Sequence, residues 1–237
     1  MDKQSNTYTI LYSIILVLVV GVVLAVTSIA LKPKQDENIA NDKRQQILSA
    51  VHITAPEGKV KEVYNKYITK SFVVNAKGDD VSGDAFAINM SREIKKPVDE
   101  RMLPVFVCNI ENGDVKYVLP VYGGGLWGPI WGYVAVDADG DTIYGAYFSH
   151  SGETPGLGAE ISTPQFQSQF EGKKLYKDDK FRSVDVMKSG QKPVDNADNV
   201  NAISGGTITS KGVQAMLADC LADYNAFLVK LRKESSK

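Results

Sequence analysis

The chain is poor in the residues that hold metals. Its 237 residues include two cysteines, Cys108 and Cys220, and two histidines, His52 and His150. No CxxC pair occurs, which argues against an iron–sulfur cluster or a zinc ion held by this chain alone. Whether the two thiols pair in an oxidising compartment is left open by their spacing. Neither sign of charge dominates: 27 Lys and Arg face 28 Asp and Glu, without the basic stripe that nucleic-acid binding requires. Phosphate-loop patterns are also missing. Gly123-Gly124-Gly125 opens no GxGxxG helix, and no GxxxxGK followed by Ser or Thr occurs. Ser149-His150-Ser151 has neither a GxSxG frame nor a third partner. Asp137-x-Asp139-x-Asp141 starts like a calcium loop, but Thr142 and Phe148 stand where that loop needs Gly and Glu, so it reads as a hairpin turn. No internal repeat or low-complexity tract is present. The chemistry left is that of hydroxyls, carboxylates or a borrowed cofactor.

One long apolar run is present. Tyr8 to Leu31 is 24 residues without a charge. As a helix it extends about 36 Å, enough to cross a hydrocarbon core of about 30 Å. Tyr8 and Tyr12 fall where interfacial aromatics sit, and Lys32-Pro33 ends the run. Ser28-Ile29-Ala30 offers a small-x-small cleavage site, but the run exceeds a secretory apolar core of about 7–15 residues, which favours a retained anchor. Residues 1–7 are then an N-terminal tail, 8–31 a transmembrane helix, 32–56 a charged linker or helical tether, and 57–237 the functional domain. Lys3 flanks one end of the run, and Lys32, Lys34, Lys43 and Arg44 the other. That asymmetry, taken alone, places the domain in the cytoplasm.

About 200 residues follow the run, enough for one domain with a real core. Val60, Val63, Tyr64, Tyr67 and Ile68 recur at helical spacing over 57–69. Phe72–Val74 reads as a strand, and further strands are expected at Val105–Ile110, Lys116–Val121, Tyr133–Asp137, Thr142–Ser149 and Arg182–Met187. Glu111-Asn112-Gly113-Asp114 and the 137–141 segment supply hairpin turns. A short helix fits Pro164–Gln169. Val213, Met216, Leu217, Cys220, Leu221, Tyr224, Leu228 and Leu231 trace one apolar face of a long C-terminal helix. Hairpin spacing, rather than regular βαβ alternation, predicts an α+β domain with an antiparallel sheet.

Two stretches carry the candidate chemistry. The first is Gly123-Gly124-Gly125-Leu126-Trp127-Gly128-Pro129-Ile130, with Gly152-Glu153-Thr154-Pro155-Gly156-Leu157-Gly158 downstream. Glycines permit close backbone approach, Leu126, Trp127 and Leu157 offer apolar faces, and Glu153 and Thr154 add polar groups, together a recipe for holding a flat ring. Composition alone favours the plainer alternative, two tight turns around a core tryptophan. The second is Ser204-Gly205-Gly206-Thr207-Ile208-Thr209-Ser210, just before the last helix, with Thr209 and Ser210 as candidate N-caps. An anion on Thr207 would meet unpaired N–H groups and the positive end of that helix.

Together, and behind one membrane helix, these stretches resemble the C subunit of the sodium-translocating NADH:quinone oxidoreductase, a covalent FMN-binding domain family. The resemblance runs from the anchor to the attachment motif. It implies FMN joined as a phosphoester to Thr207, installed from FAD by a separate flavin transferase. Ser204, Gly205 and Gly206 would shape the attachment loop, while Leu126, Trp127, Glu153, Thr154, Gly156 and Leu157 would bind the cofactor. Gly206 replaces the commoner alanine, and Asn201 stands where many members have Asp. The resemblance also implies a bacterial inner-membrane location with the domain on the periplasmic side, which we adopt over the charge count. The protein would relay electrons among the other subunits of a complex that oxidises NADH, reduces quinone and exports sodium, catalysing no complete reaction alone. The related G subunit of the ferredoxin:NAD oxidoreductase complex is the nearest alternative, disfavoured by Leu126-Trp127. A membrane-anchored binding domain without cofactor is the alternative of another class.

Overall fold

The computed structural model describes residues 5–110, 113–188, 190–193 and 196–235; the expected turn residues Glu111 and Asn112 lie outside them. Among the described residues one helix, α1 (Asn6–Ser49), is long and apolar enough to cross a membrane. Pro33 does not stop it: the helix loses one backbone hydrogen bond there and continues through the polar segment that follows. Two compact units divide at Lys43 and Arg44.

The second unit is built on a six-stranded sheet. Its strands are β1 (Ile68–Val74), β2 (Asp80–Val81), β3 (Leu103–Asn109), β4 (Val115–Gly124), β5 (Pro129–Asp137) and β6 (Ile143–His150), preceded by the helix α2 (Val60–Tyr67). They lie in the order β2-β1-β3-β4-β5-β6, and every pairing is antiparallel. The expected α+β architecture, with an antiparallel sheet and a C-terminal helix, is therefore present.

Period-two alternation on these strands feeds two cores. Val105, Leu119 and Val134 point to the face covered by the C-terminal helices. Their neighbours Phe106, Val118 and Tyr133 point to the other face, where Ile47, Leu48, Ala50 and Val51 are buried with them. Both sheet faces are thus dry, and the end of α1 forms part of the second core. Cys108 belongs to this core and Cys220 to the first, so the thiols are free, and burial pushes the pKa of each up to about 11.

A one-turn helix α3 (Met90–Glu93) precedes β3, and another, α4 (Pro164–Gln167), follows β6 and continues as a 3-10 turn to Phe170. Then come β7 (Tyr176–Lys177) and β8 (Lys180–Phe181), an antiparallel pair. The strands β9 (Val184–Met187) and β10 (Asp198–Asn201) pair in parallel. The last helix is divided into α5 (Thr207–Asp223) and α6 (Asn225–Ser235). At the division Tyr224 is fully buried and donates its hydroxyl to the Pro104 carbonyl at 2.9 Å. Beside it Asp223 meets Arg101 at 2.6 Å. All eight residues of the expected apolar face are buried despite the break.

In the β5–β6 turn, the Asp139 carboxylate accepts the N–H groups of Asp141 and Thr142 and the Thr142 hydroxyl. Burial raises its pKa, but these bonds and the one from Lys174 outweigh that and hold it at about 2. A lowered native pKa stabilises the fold above the unfolded value of about 3.9, and this contribution fades as pH falls from there toward 2. Asp139→Asn is expected to lower the urea midpoint at pH 7, with the gap to wild type narrowing between pH 4 and pH 2. A gap constant over that range would contradict the assignment.

Candidate functional site

Three segments converge at one end of the β4–β5 hairpin. The last pairing of the hairpin is Gly124 with Pro129, and Gly125 N–H donates to Gly128 O at 2.8 Å, which closes the tip carrying Leu126 and Trp127. The loop after β6 brings Glu153, Thr154, Leu157 and Gly158 beside the tip. The loop before α5 supplies Gly205 and Gly206, and the first turn of α5 adds Thr207, Ile208 and Thr209. These residues line an open cleft of about 240 Å³.

Small residues allow this convergence. A Cβ on Gly212 of α5 would run into the Gly124 carbonyl, and one on Gly123 would lie 2.8 Å from Met216 Cβ. Helix and hairpin therefore touch through backbone. A Cβ on Gly125 or on Gly158 would run into the carboxylate of Glu153. Glu153 is only 5 % exposed. Its Oε1 accepts the Trp127 N–H at 2.8 Å and its Oε2 accepts the Thr209 hydroxyl at 2.6 Å. Its own N–H donates to His150 Nδ1 at 3.1 Å. Gly205 has φ +75°, a conformation L side chains rarely adopt, and this bends the loop so that Thr207 opens the helix.

Thr207 is half-buried, and its hydroxyl has no hydrogen-bond partner among the described residues. The first backbone bond into α5 runs from Ser210 N–H to Gly206 O at 2.9 Å, so the N–H groups of Thr207, Ile208 and Thr209 precede it. Thr209 and Ser210 do not cap the helix as expected. Its N-cap is Gly206, three residues before Thr209, and no side chain caps it. The Thr209 hydroxyl is drawn instead to Glu153, and Ser210 Oγ accepts the Ile203 N–H at 3.0 Å. The positive end of α5 thus stays open beside the Thr207 hydroxyl.

The rim of the cleft is apolar. Leu126, Trp127, Leu157 and Ile208 are 47, 68, 42 and 60 % exposed. Among the described residues beyond α1, Val98 is the one other large hydrophobic that is so exposed. Four such side chains around one cleft leave an apolar surface in need of a ligand or partner. Eight of the ten residues singled out from sequence meet here. Ser204 instead lines a neighbouring groove with Asn201 and Gln169, and Gly156 is an exposed turn residue whose N–H donates to Glu160 Oε1 at 3.0 Å. Sequence reading missed Gly158, Ile208 and Thr209 as lining residues. The signal for Ile208 was a large aliphatic side chain directly after Thr207.

The FMN-binding domain family matches residues 125–222, which span all three converging segments. The C subunit of the Na(+)-translocating NADH-quinone reductase from Vibrio vulnificus (strain YJ016) is 34 % identical over 233 residues, covering 91 % of each chain. The Yersinia pestis C subunit is 30 % identical over 262 residues, covering 100 % of this chain and 98 % of the relative. Among solved structures, the C subunit from Parabacteroides distasonis superposes with a TM-score of 0.79 at 48 % identity, covering 84 % of this chain and 96 % of that one. NqrC from Shewanella oneidensis gives 0.69 at 28 % identity, covering 83 % and 99 %.

Two glycines in this region should respond oppositely to alanine. Gly212→Ala ought to gain about 1 kcal/mol of helix propensity, yet it is expected to lower the melting temperature, because its methyl group meets backbone. Gly206 has a negative φ and would place a Cβ 3.0 Å from Ile203 Cγ2 and 3.3 Å from the Gly158 nitrogen, contacts that a shift of a few tenths of an ångström relieves. Gly206→Ala should leave the melting temperature within a few degrees of wild type. Calorimetry of both variants checks this, and a stabilised Gly212→Ala would refute the backbone contact.

Proposed function

Since the chain belongs to the C-subunit family of the Na(+)-translocating NADH-quinone reductase, we propose that it carries FMN as a phosphoester on Thr207 and relays electrons within that complex. The single observation supporting this most strongly is the juxtaposition at the cleft. A threonine hydroxyl without a partner among the described residues opens an uncapped helix, and four exposed apolar side chains stand beside it.

The residues present fit the group. Three N–H groups and the positive end of α5 favour the phosphate ester. Leu126, Trp127, Leu157 and Ile208 offer faces for a flat conjugated ring. Pockets enclosing a whole ligand usually measure about 300–1,000 Å³. A cleft of about 240 Å³ is smaller, so it grips part of the nucleotide and leaves an edge of the ring open to a redox partner. When bound, FMN supplies the electron chemistry, one electron at a time where partners require it. The chain positions it, limits water access on the apolar side and prevents its dissociation.

Attachment balances as a transfer: FAD gives its FMN phosphoryl group to the Thr207 oxygen, AMP leaves, and the hydroxyl proton is released. A separate flavin transferase performs it. Asn201 and Ser204 lie together in the neighbouring groove, on the outer side of the attachment loop, where that enzyme would read the motif. In the same proposal residues 57–237 act as the FMN-binding domain. The α1 helix anchors the protein in the bacterial inner membrane with the domain on the periplasmic side. NADH oxidation, quinone reduction and sodium export occur with the other subunits, and this chain completes no reaction alone.

Purified natively, the protein should be yellow, absorbing near 450 nm (roughly the flavin range). Peptide mass spectrometry should place an FMN adduct on the peptide containing Thr207. Co-expression with a flavin transferase should yield an in-gel fluorescent band for wild type and none for Thr207→Ala. A colourless native protein, or a fluorescent Thr207→Ala band, would overturn the attachment.

A further inference from the structure

Glu153 was expected to orient the flavin, but both its carboxylate oxygens are engaged by the chain. Oε1 holds the backbone N–H of Trp127 at the hairpin tip, and Oε2 holds the hydroxyl of Thr209 in the first turn of α5. The residue therefore spans the cleft from its apolar wall to the helix that starts with Thr207. Its carboxylate is packed between Gly125 and Gly158, where any larger residue would displace it. Both bonds are to an oxygen of a side chain that is 5 % exposed, and a buried charge-assisted bond of this kind is among the stronger ones a protein makes.

We infer that Glu153 is a positioning residue: it ties the Leu126-Trp127 tip to the first turn of α5 and so sets the width of the cleft in which the flavin ring lies. This rests on the flavin reading for its purpose, but the tie itself is a property of the chain with or without cofactor. Through it, Trp127 is fixed at its backbone while its indole stays 68 % exposed and free to cover a ring. Thr209 is not needed as a cap, because its hydroxyl serves the tie.

The test has two readouts on the full chain in detergent. Before flavin transfer, amide exchange at Trp127 is compared in wild type, Glu153→Ala, Glu153→Gln, Thr209→Val and the Glu153→Ala/Thr209→Val double variant. Losing the bond in Glu153→Ala is expected to speed Trp127 exchange on the order of tenfold. Gln retains an oxygen for the Trp127 N–H and should restore most of the protection. The double variant should go no further than Glu153→Ala, since both substitutions cut one tie. After flavin transfer, the fluorescence anisotropy of the attached flavin should fall in Glu153→Ala and Thr209→Val. Unchanged Trp127 exchange overturns the tie whatever the flavin does. Faster exchange with wild-type anisotropy overturns the positioning of the flavin. If Glu153→Ala does not fold, Thr209→Val carries the comparison: it releases Oε2 and is expected to speed Trp127 exchange, and wild-type exchange in that variant overturns the tie. Absence of an adduct on wild-type Thr207, by contrast, would defeat the flavin reading while leaving the exchange result intact.

Discussion

The whole site depends on the backbone-to-backbone approach of the β4–β5 hairpin and the first half of α5. Gly212 on the helix faces the Gly124 carbonyl with no side chain between them, and Gly123 leaves room for the Met216 side chain. This approach brings a hairpin tip and a helix start together, although about eighty residues of sequence separate them. The intervening chain itself contributes β5, β6, α4 and β7 to β10 to the fold. The core that joins the two elements is the face of the sheet carrying Val121, Ile130 and Val134 against Val213, Met216 and Leu217. The site is thus placed by packed regular elements, and its loops supply only the last few contacts.

That geometry explains an otherwise costly arrangement. Four large apolar side chains around the cleft are left in water, and the N-terminus of α5 is left without a side-chain cap. Each lowers the stability of the unloaded chain. Both become favourable if a flat ring and a phosphate ester occupy the same place, since the ring covers the apolar rim and the ester meets the open N–H groups. A site that is unsatisfied until loaded also holds its cofactor in one orientation, which suits a relay whose rate depends on placement.

Much of the scaffold was legible because it is periodic. Alternation in β3 to β6 revealed the strands, and a stripe from Val213 to Leu231 revealed the helical face, since burial repeats every 2 or every 3.6 residues. Local chemistry misled where distant partners compete for the same groups. Thr209 and Ser210 look like helix caps, but Glu153 and Ile203 claim their hydroxyls and the helix starts sooner. Asp198–Asn201 has almost no strand character, and it pairs in parallel with β9 only because the tertiary fold brings it there. Pro33 ends the apolar run without ending the helix, because a helix in place tolerates one missing bond. Gly156 and Ser204 belong to the same two motifs and yet do not line the cleft, a distinction that spacing in a loop does not encode.

The central claim is that the exposed apolar rim and the open start of α5 serve one ligand. The most direct measurement is a density map of the natively purified, flavin-loaded full chain. Continuous density is expected from Thr207 Oγ1 through a phosphate to a planar ring lying against Leu126, Trp127 and Leu157. Density for a ring bound elsewhere, or a bare Thr207 hydroxyl beside an empty cleft in a yellow sample, would contradict it.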